Sequence, residues 1–450
     1  MEQQLSKGDN FTKAEAEKFF RLSDATFRCF ERALHIDPSN VKLWIEFGNL
    51  SYNVASQVSR IRKAAQTLNQ KNRSGSEFDI PALKVKQKQL ISRAKECFET
   101  ASQFDLEDEQ WLPCYMQGKI MERSHIIKAL HCYEQADLHL QQAGASYPRR
   151  IAYHTPPHLA IEALEVHYRS FASVLKYLTR NPQINRRILA RIKIFLVKAN
   201  HSAFVTTPSS HHPNDLMAVS DTVSDLVDNV VDRLTAKTES LRRDVTRLSV
   251  AGIRRCLSRF PEHYKSLYRL SYHHYASSDV QLAQQILLTS LPGMQCGSSS
   301  QTGLSGLFAD RKPNNFFNGI WRIPIDEIDR PGSFSSHMQR SAFLLIRVSA
   351  AMGDCSTLCS VATQLSRVPE AGKKYLREGD RLWLAREAFD MCTAIMRSYI
   401  TLVTSTDQPL QSRDFLTESY KVCERFIRNN VFAEEANRLM ADFSDLFRRC

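Results

Sequence analysis

Apolar residues recur along this chain at the helical spacing. In QINRRILARIKIFLVKAN (183–200), Ile188, Ile192, Phe195, Leu196 and Ala199 fall on one side of a helix. Arg187, Arg191 and Lys198 form a stripe beside them, so the segment predicts an amphipathic helix with a basic flank. Residues 216–258 carry Val223, Val227, Val230, Leu234, Leu241, Val245 and Leu248, spaced mostly by fours and threes. That predicts a long helix; a coiled-coil seam is the alternative, and Lys237 interrupts it. Across 252–291 a helix ends near Phe260-Pro261, a second carries Tyr264, Leu267, Tyr268 and Leu270, and a third carries Leu282, Ile286 and Leu287. Helical patterns return over 335–352, 354–366, 376–403 and 411–448. The last runs to Cys450 with no stop signal, which suggests a piece of a longer chain.

A second pattern repeats. Thr26-x3-Phe30-x2-Ala33, Ala94-x3-Phe98-x2-Ala101 and Ala129-x3-Tyr133-x2-Ala136 share one spacing: small, aromatic, small. The first continues to Pro38, and Trp44 and Gly48 follow where a new helix should begin. Small residues let helices approach, the aromatic fills the space between them, and the proline ends the second helix. The arrangement resembles the tetratricopeptide repeat, a pair of antiparallel helices. Leu106 stands where the second unit should have its proline, residues 67–85 insert a polar stretch, and Trp111 and Gly118 are spaced wider than Trp44 and Gly48. Strict register is therefore expected only over residues 25–48. The fold expected is all-α: a tetratricopeptide-like α-solenoid of helical hairpins with one long ordered non-helical segment.

That segment is NNFFNGIWRIPIDEIDRPGSF (314–334). Gly319, Pro324, Pro331 and Gly332 break any regular period, yet apolar residues crowd it. Burying an aliphatic or aromatic side chain is worth about 1.5–3 kcal/mol, so the segment should seek a surface. Two readings stay open: a plug held against its own helices, or a dock for a partner. The partner-binding candidates are Phe316, Phe317, Trp321, Asp326, Glu327, Asp329 and Arg330. Arg322 and Arg330 flank the carboxylates, which favours ionised pairs over a proton-transfer role. The expected organisation is a helical array over 1–201, a Ser/Thr/Pro-rich linker over 202–215, a long helix with hairpins over 216–292, the extended loop over 293–334, and a second array over 335–450.

Composition narrows the classes. The chain is 43% hydrophobic and 24% charged, which is globular rather than disordered. With 15 glycines and 16 prolines in 450 residues, it is poor in turn formers. Eleven scattered cysteines, several inside helical patterns (Cys29, Cys97, Cys132, Cys256, Cys392), read as buried thiols rather than a disulfide framework. MEQQLSKGDN lacks the layout of a secretory signal, and no run is long and apolar enough to span a membrane. Gly372-Lys373-Lys374 lacks the leading glycine and the hydroxyl of a phosphate loop, and GLSGL (303–307) has Leu307 where a nucleophile elbow needs glycine. Cys355-x3-Cys359 and His211-His212 have no companion pair nearby to complete a zinc site. His273-His274 lies between Tyr272 and Tyr275 and reads as a packing face. No catalytic residue, metal or cofactor is expected.

Family resemblance enters with three further patches: HYKSLYRLS (263–271), GKKYLREGDR (372–381) and ALHCYEQADLHLQQAGASYPRRIAYHTPPHLAIEALEVHYR (129–169). With 314–334 they resemble the calcineurin-binding Cabin family, patchwise from about residue 25 to 390; about 180–245 resembles it poorly. The resemblance implies a nuclear, tetratricopeptide-bearing scaffold subunit of a HIRA-type histone chaperone complex, which places a variant histone into chromatin independently of replication. The family's calcineurin-inhibiting and corepressor activities belong to its far C-terminal part. Neither phosphatase-docking string occurs here: Pro182-Gln183-Ile184 begins one and fails at Arg186, and Leu365-Ser366-Arg367-Val368-Pro369 has one residue too many for the other. Calcineurin binding is not expected. With a net charge of +12, the chain should meet like-charge resistance from histones, so its expected partners are protein subunits of the complex. The alternative is a nucleic-acid-binding helical array using Arg186, Arg187, Arg191, Lys193 and Lys198 with Lys84, Lys86 and Lys88.

Overall fold

The structure is a computed structural model describing residues 13–71, 78–104, 109–149, 151, 157–200, 238–260, 263–289, 333–367, 378–405 and 413–449. Among them it contains fifteen α-helices and no strand. In chain order these are α1 (Lys13–Ile36), α2 (Val41–Lys71), α3 (Ile80–Ala101), α4 (Trp111–Met121), α5 (Ile126–Gln142), α6 (Ala160–Arg180), α7 (Arg186–Asn200) and α8 (Thr238–Arg259). They continue as α9 (Tyr264–Ala276), α10 (Val280–Thr289), α11 (Ser333–Met352), α12 (Cys355–Ser366), α13 (Glu378–Ser405), α14 (Arg413–Arg428) and α15 (Ala433–Arg449). The architecture is the expected all-α, helical-repeat type. None of the described helices is long and apolar enough to cross a membrane.

The chain divides into two compact units, and the division falls within α8: residues up to Gly252 belong to the first, Ile253 onward to the second, with 152–155 assigned to the second. In unit 1, successive helices pair as hairpins, α2 with α3 and α4 with α5, and α6 and α7 follow against α5. In unit 2, α9 pairs with α10, α12 with α13, and α14 with α15. The linker 202–215, residues 216–237 of the expected long helix and residues 293–332 of the expected loop 293–334 lie outside the described residues; Ser333 and Phe334, expected in the loop, instead open α11.

Local chemistry sets the helix ends. Asn40 caps α2, its Oδ1 accepting from the Leu43 N–H at 3.2 Å, and the Trp44 indole donates to the Pro38 carbonyl at 2.9 Å. The turn that the sequence places before Trp44 is thus tied down by that residue. Asp79 accepts from the Ala82 N–H at 3.0 Å to start α3, and Asp354 from the Thr357 N–H at 3.0 Å to start α12. Two arginines close helix C-termini. Arg242 of α8 donates to the carbonyls of Leu178 and Pro182 at the end of α6, and Arg381 of α13 to those of Leu365 and Arg367 after α12. Each places a cation where the helix dipole is negative and carbonyls lack intrahelical partners.

The repeated triads behave unequally. Ala94, Phe98 and Ala101 are fully buried, as are Ala129, Tyr133 and Ala136. Thr26, Phe30 and Ala33 are only half-buried; α1 instead buries Ala16, Phe19, Ser23, Phe27 and Leu34. Phe30 still packs against α2, its ring stacked 5.4 Å from that of Phe47. Four further expectations are corrected. The pattern read over 411–448 is two helices, broken at Asn429–Phe432, where Asn430 and Phe432 take left-handed φ of 53° and 48°. The polar insertion 67–85 is partly helix, since α2 runs to Lys71 and α3 starts at Ile80. On α7 the buried set is Leu189, Ile192, Leu196 and Asn200, with Ile188, Phe195 and Ala199 half-buried. Cys29 is exposed and Cys132 half-buried, whereas Cys97, Cys256 and Cys392 are buried.

Candidate partner-binding surface

The seven residues singled out in the apolar loop, Phe316, Phe317, Trp321, Asp326, Glu327, Asp329 and Arg330, lie outside the described residues. His211 and His212 lie outside them too. Candidate surfaces must therefore come from the helices.

One lies in unit 1, where α5, α6 and α7 leave a cleft of about 170 Å³ between them. Its apolar lining is Leu130, Val166, Phe195 and Leu196, and Leu138 at its edge is 44% exposed. Glu134, Asp137 and Lys198 also line it, the lysine 3.6 Å from Glu134. Burial pushes the Asp137 carboxyl up, and hydrogen bonds from Gln141 and Tyr147 pull the other way. At this size the cleft is well below the ~300 Å³ where small-molecule pockets begin, and suits one or two side chains of a partner. It presents apolar area and carboxylate acceptors.

Behind the cleft lies a buried ionic knot. Glu122, at the end of α4, receives Tyr133 OH at 2.8 Å, the Arg169 guanidinium at 2.5 Å and Lys176 Nζ at 3.7 Å. Burial alone would raise the Glu122 carboxyl, but Arg169, Lys176, Tyr133 and Lys119 outweigh it and hold it down to about 2. Glu165 accepts from Tyr115 OH at 2.7 Å. Burial, reinforced by the neighbouring carboxylates, pushes the Tyr115 and Tyr133 hydroxyls far up, so both stay protonated donors. Lys119 lies over the rings of Tyr52 and Tyr115 at 5.2 and 5.3 Å, its pKa lowered by burial. Periodicity could not find this knot, because its charges occupy positions that helical patterning assigns to apolar residues. The signal was a lysine inside the otherwise uncharged WLPCYMQGKIM and a glutamate inside ALEVHY.

Glycine closes the hairpins over their aromatics. A Cβ on Gly48 would come within 2.9 Å of the Phe98 ring, and one on Gly118 within 2.5 Å of the Tyr133 ring. The aromatic of each of these two repeat triads is therefore seated on a glycine of the preceding helix. Gly252 of α8 seats Phe171 of α6 the same way, at 2.4 Å.

A second, shallower groove of about 410 Å³ runs between α1 and α3. Cations cover its rings: Lys86 lies 4.6 Å over Phe20 and Arg93 5.0 Å over Phe27. The same cations pair with Asp24 at 3.3 Å and Glu31 at 3.4 Å.

No protein-family model matches the chain.

Several basic residues proposed for nucleic acid are engaged within the protein. Lys193 pairs with Asp244 at 2.7 Å, Lys198 with Glu134, and Lys86 with Asp24. Arg187, Arg191, Lys84 and Lys88 are exposed. Cys355 and Cys359 are both buried, and among the described residues no group of three or more His, Cys, Asp or Glu is placed to hold a metal ion. His273 and His274 are half-buried with their rings edge-on at 5.4 Å, and burial lowers the pKa of both.

Proposed function

We propose that this chain is a non-enzymatic scaffold that joins protein subunits of a nuclear, HIRA-type histone chaperone complex for replication-independent nucleosome assembly and transcription regulation. The observation that carries the binding half of this reading is the cleft between α5, α6 and α7: apolar, side-chain-sized, and mounted on hairpins made rigid by glycine–aromatic seats. Helical arrays of this kind hold partners along extended faces rather than in one enclosed site. The choice of partner rests on the family resemblance of the patches around 129–169, 263–271, 314–334 and 372–381. The charge of +12 argues that the partners are the complex's own subunits rather than basic histones.

Capture of the tagged chain from nuclear extract tests this reading, run with Leu138→Asp in the cleft and Phe317→Ala and Trp321→Ala in the apolar loop. We expect chaperone subunits to be recovered by the parent chain and lost with at least one of these variants, at an unchanged melting temperature. Recovery of no chaperone subunit would overturn the proposal. Tight, salt-resistant capture of purified histones would overturn the charge argument. A gel shift that appears at low salt and vanishes at high salt would favour the nucleic-acid alternative.

A further inference from the structure

Four cysteines from three helices meet inside unit 2. Cys355 and Cys359 come from α12, Cys392 from α13 and Cys423 from α14, and all four are buried. They are close enough that charge on one thiol disfavours charge on the others. The first two stood out in the sequence as a weak metal candidate, and among the described residues no metal-holding group forms around them.

The packing does single out one pair. Cys355 Sγ lies 4.0 Å from the Cys392 carbonyl, and Cys392 Sγ lies 3.7 Å from the Cys355 carbonyl. The contact is reciprocal, so each thiol lies over the other residue's backbone. Cys359, one turn further along α12, turns instead toward the Val422 carbonyl on α14 at 3.8 Å and toward Thr363 at 3.9 Å. We propose that Cys355 and Cys392 are a peroxide-sensitive dithiol that closes to a disulfide, stapling α12 to α13.

The two members have different roles. Cys355 is the first residue of α12, where backbone N–H groups favour a thiolate, and it keeps 7% of its surface exposed while Cys392 keeps none. The neighbouring Cys392 thiol lowers the Cys355 pKa against burial and the adjacent Asp354 carboxylate; the neighbouring Cys355 thiol, with burial, raises that of Cys392. Cys355 is thus the attacking sulfur. Its thiolate takes one hydroxyl from hydrogen peroxide: an S–O bond forms, the O–O bond breaks, and hydroxide leaves to be protonated to water. Sulfur is oxidised by two electrons and the peroxide reduced by two. Cys392 then attacks the Cys355 sulfur, the S–S bond forms, the S–O bond breaks, and the departing hydroxide takes the Cys392 proton as water.

Hydrogen peroxide added to the 450-residue chain, followed by alkylation of free thiols and peptide mapping without reduction, tests this directly. We expect one intramolecular cross-link, Cys355–Cys392, with Cys359 and Cys423 alkylated, and its loss on treatment with dithiothreitol. In Cys392→Ala, we expect Cys355 to be trapped as a sulfenic acid by a dimedone probe. A bridge from Cys355 to Cys359 or Cys423, or full alkylation of both Cys355 and Cys392 after peroxide, would overturn the proposal. The mapping of the parent chain decides the matter even if the variant does not fold.

Discussion

At Gly118 a single missing methyl group holds a hairpin together. The Tyr133 ring fills the space where a Cβ would sit, at 2.5 Å, and its hydroxyl reaches on to Glu122. Gly118→Ala must displace that ring and strain its hydrogen bond; overpacking of this kind costs about 1–3 kcal/mol. Gly379, near the start of α13, has nothing within 4 Å of its Cβ position. There Ala should stabilise by a few tenths to about 1 kcal/mol through helix propensity. Urea unfolding of the two variants should therefore move in opposite directions. Glu122 makes a second residue-level prediction. Its carboxyl stands at about 2 in the folded chain against 4.5 ordinarily. A depressed carboxylate stabilises the fold above its unfolded pKa, and that contribution disappears as pH falls through the folded value. The term is on the order of 3 kcal/mol, complete above about pH 5 and lost on the way down to about pH 2. Glu122→Gln should flatten the acid limb of a stability–pH curve. It should also cost about 3–5 kcal/mol at neutral pH, because Arg169 and Lys176 keep their buried charge without the acceptor.

Whole helices were legible where the apolar period was clean and where a breaker was a proline. The turn at Pro38 and the starts of α2 and α9 could be read from the chain, since caps and prolines act locally. The break at Asn429–Phe432 was missed because it uses asparagine in the left-handed region, which leaves the hydrophobic period on both sides intact. Phe432, beyond that break, stacks 4.5 Å from Phe389 of α13, while Arg386 holds Glu435 through two hydrogen bonds at 2.7 and 2.9 Å. Tertiary contacts thus fix a turn that local propensity only permits. Asn430→Val, a β-branched residue forced to φ 53°, should cost about 1–2 kcal/mol and loosen the α14–α15 hairpin. Hydrogen exchange should show faster exchange in α14 and α15 than in α9 and α10. At Thr26, Phe30 and Ala33 the motif marks a half-buried face: Phe30 stacks on Phe47, while the neighbouring Phe27 takes the buried place.

At the scale of the whole molecule the protein is an all-α array in which buried Glu122 is held by Arg169 and Lys176, and a cleft lies between α5, α6 and α7. The cleft could not be read from sequence, because it forms where α5, α6 and α7 converge and no single helix encodes it. The basic stripe of α7 was legible, but the pairing of Lys198 with Glu134 of α5, and of the nearby Lys193 with Asp244 of α8, was not, since those carboxylates lie far away in the chain. Lys193 and Lys198 are so engaged, while Arg187 and Arg191 stay exposed. The most direct test is size-exclusion chromatography with light scattering. The purified chain is mixed in turn with purified chaperone subunits, with histones and with duplex DNA at physiological salt. The account predicts a complex with at least one chaperone subunit whose mass is the sum of its parts. Separate elution from every chaperone subunit, with a stable complex on histones or DNA, would contradict it.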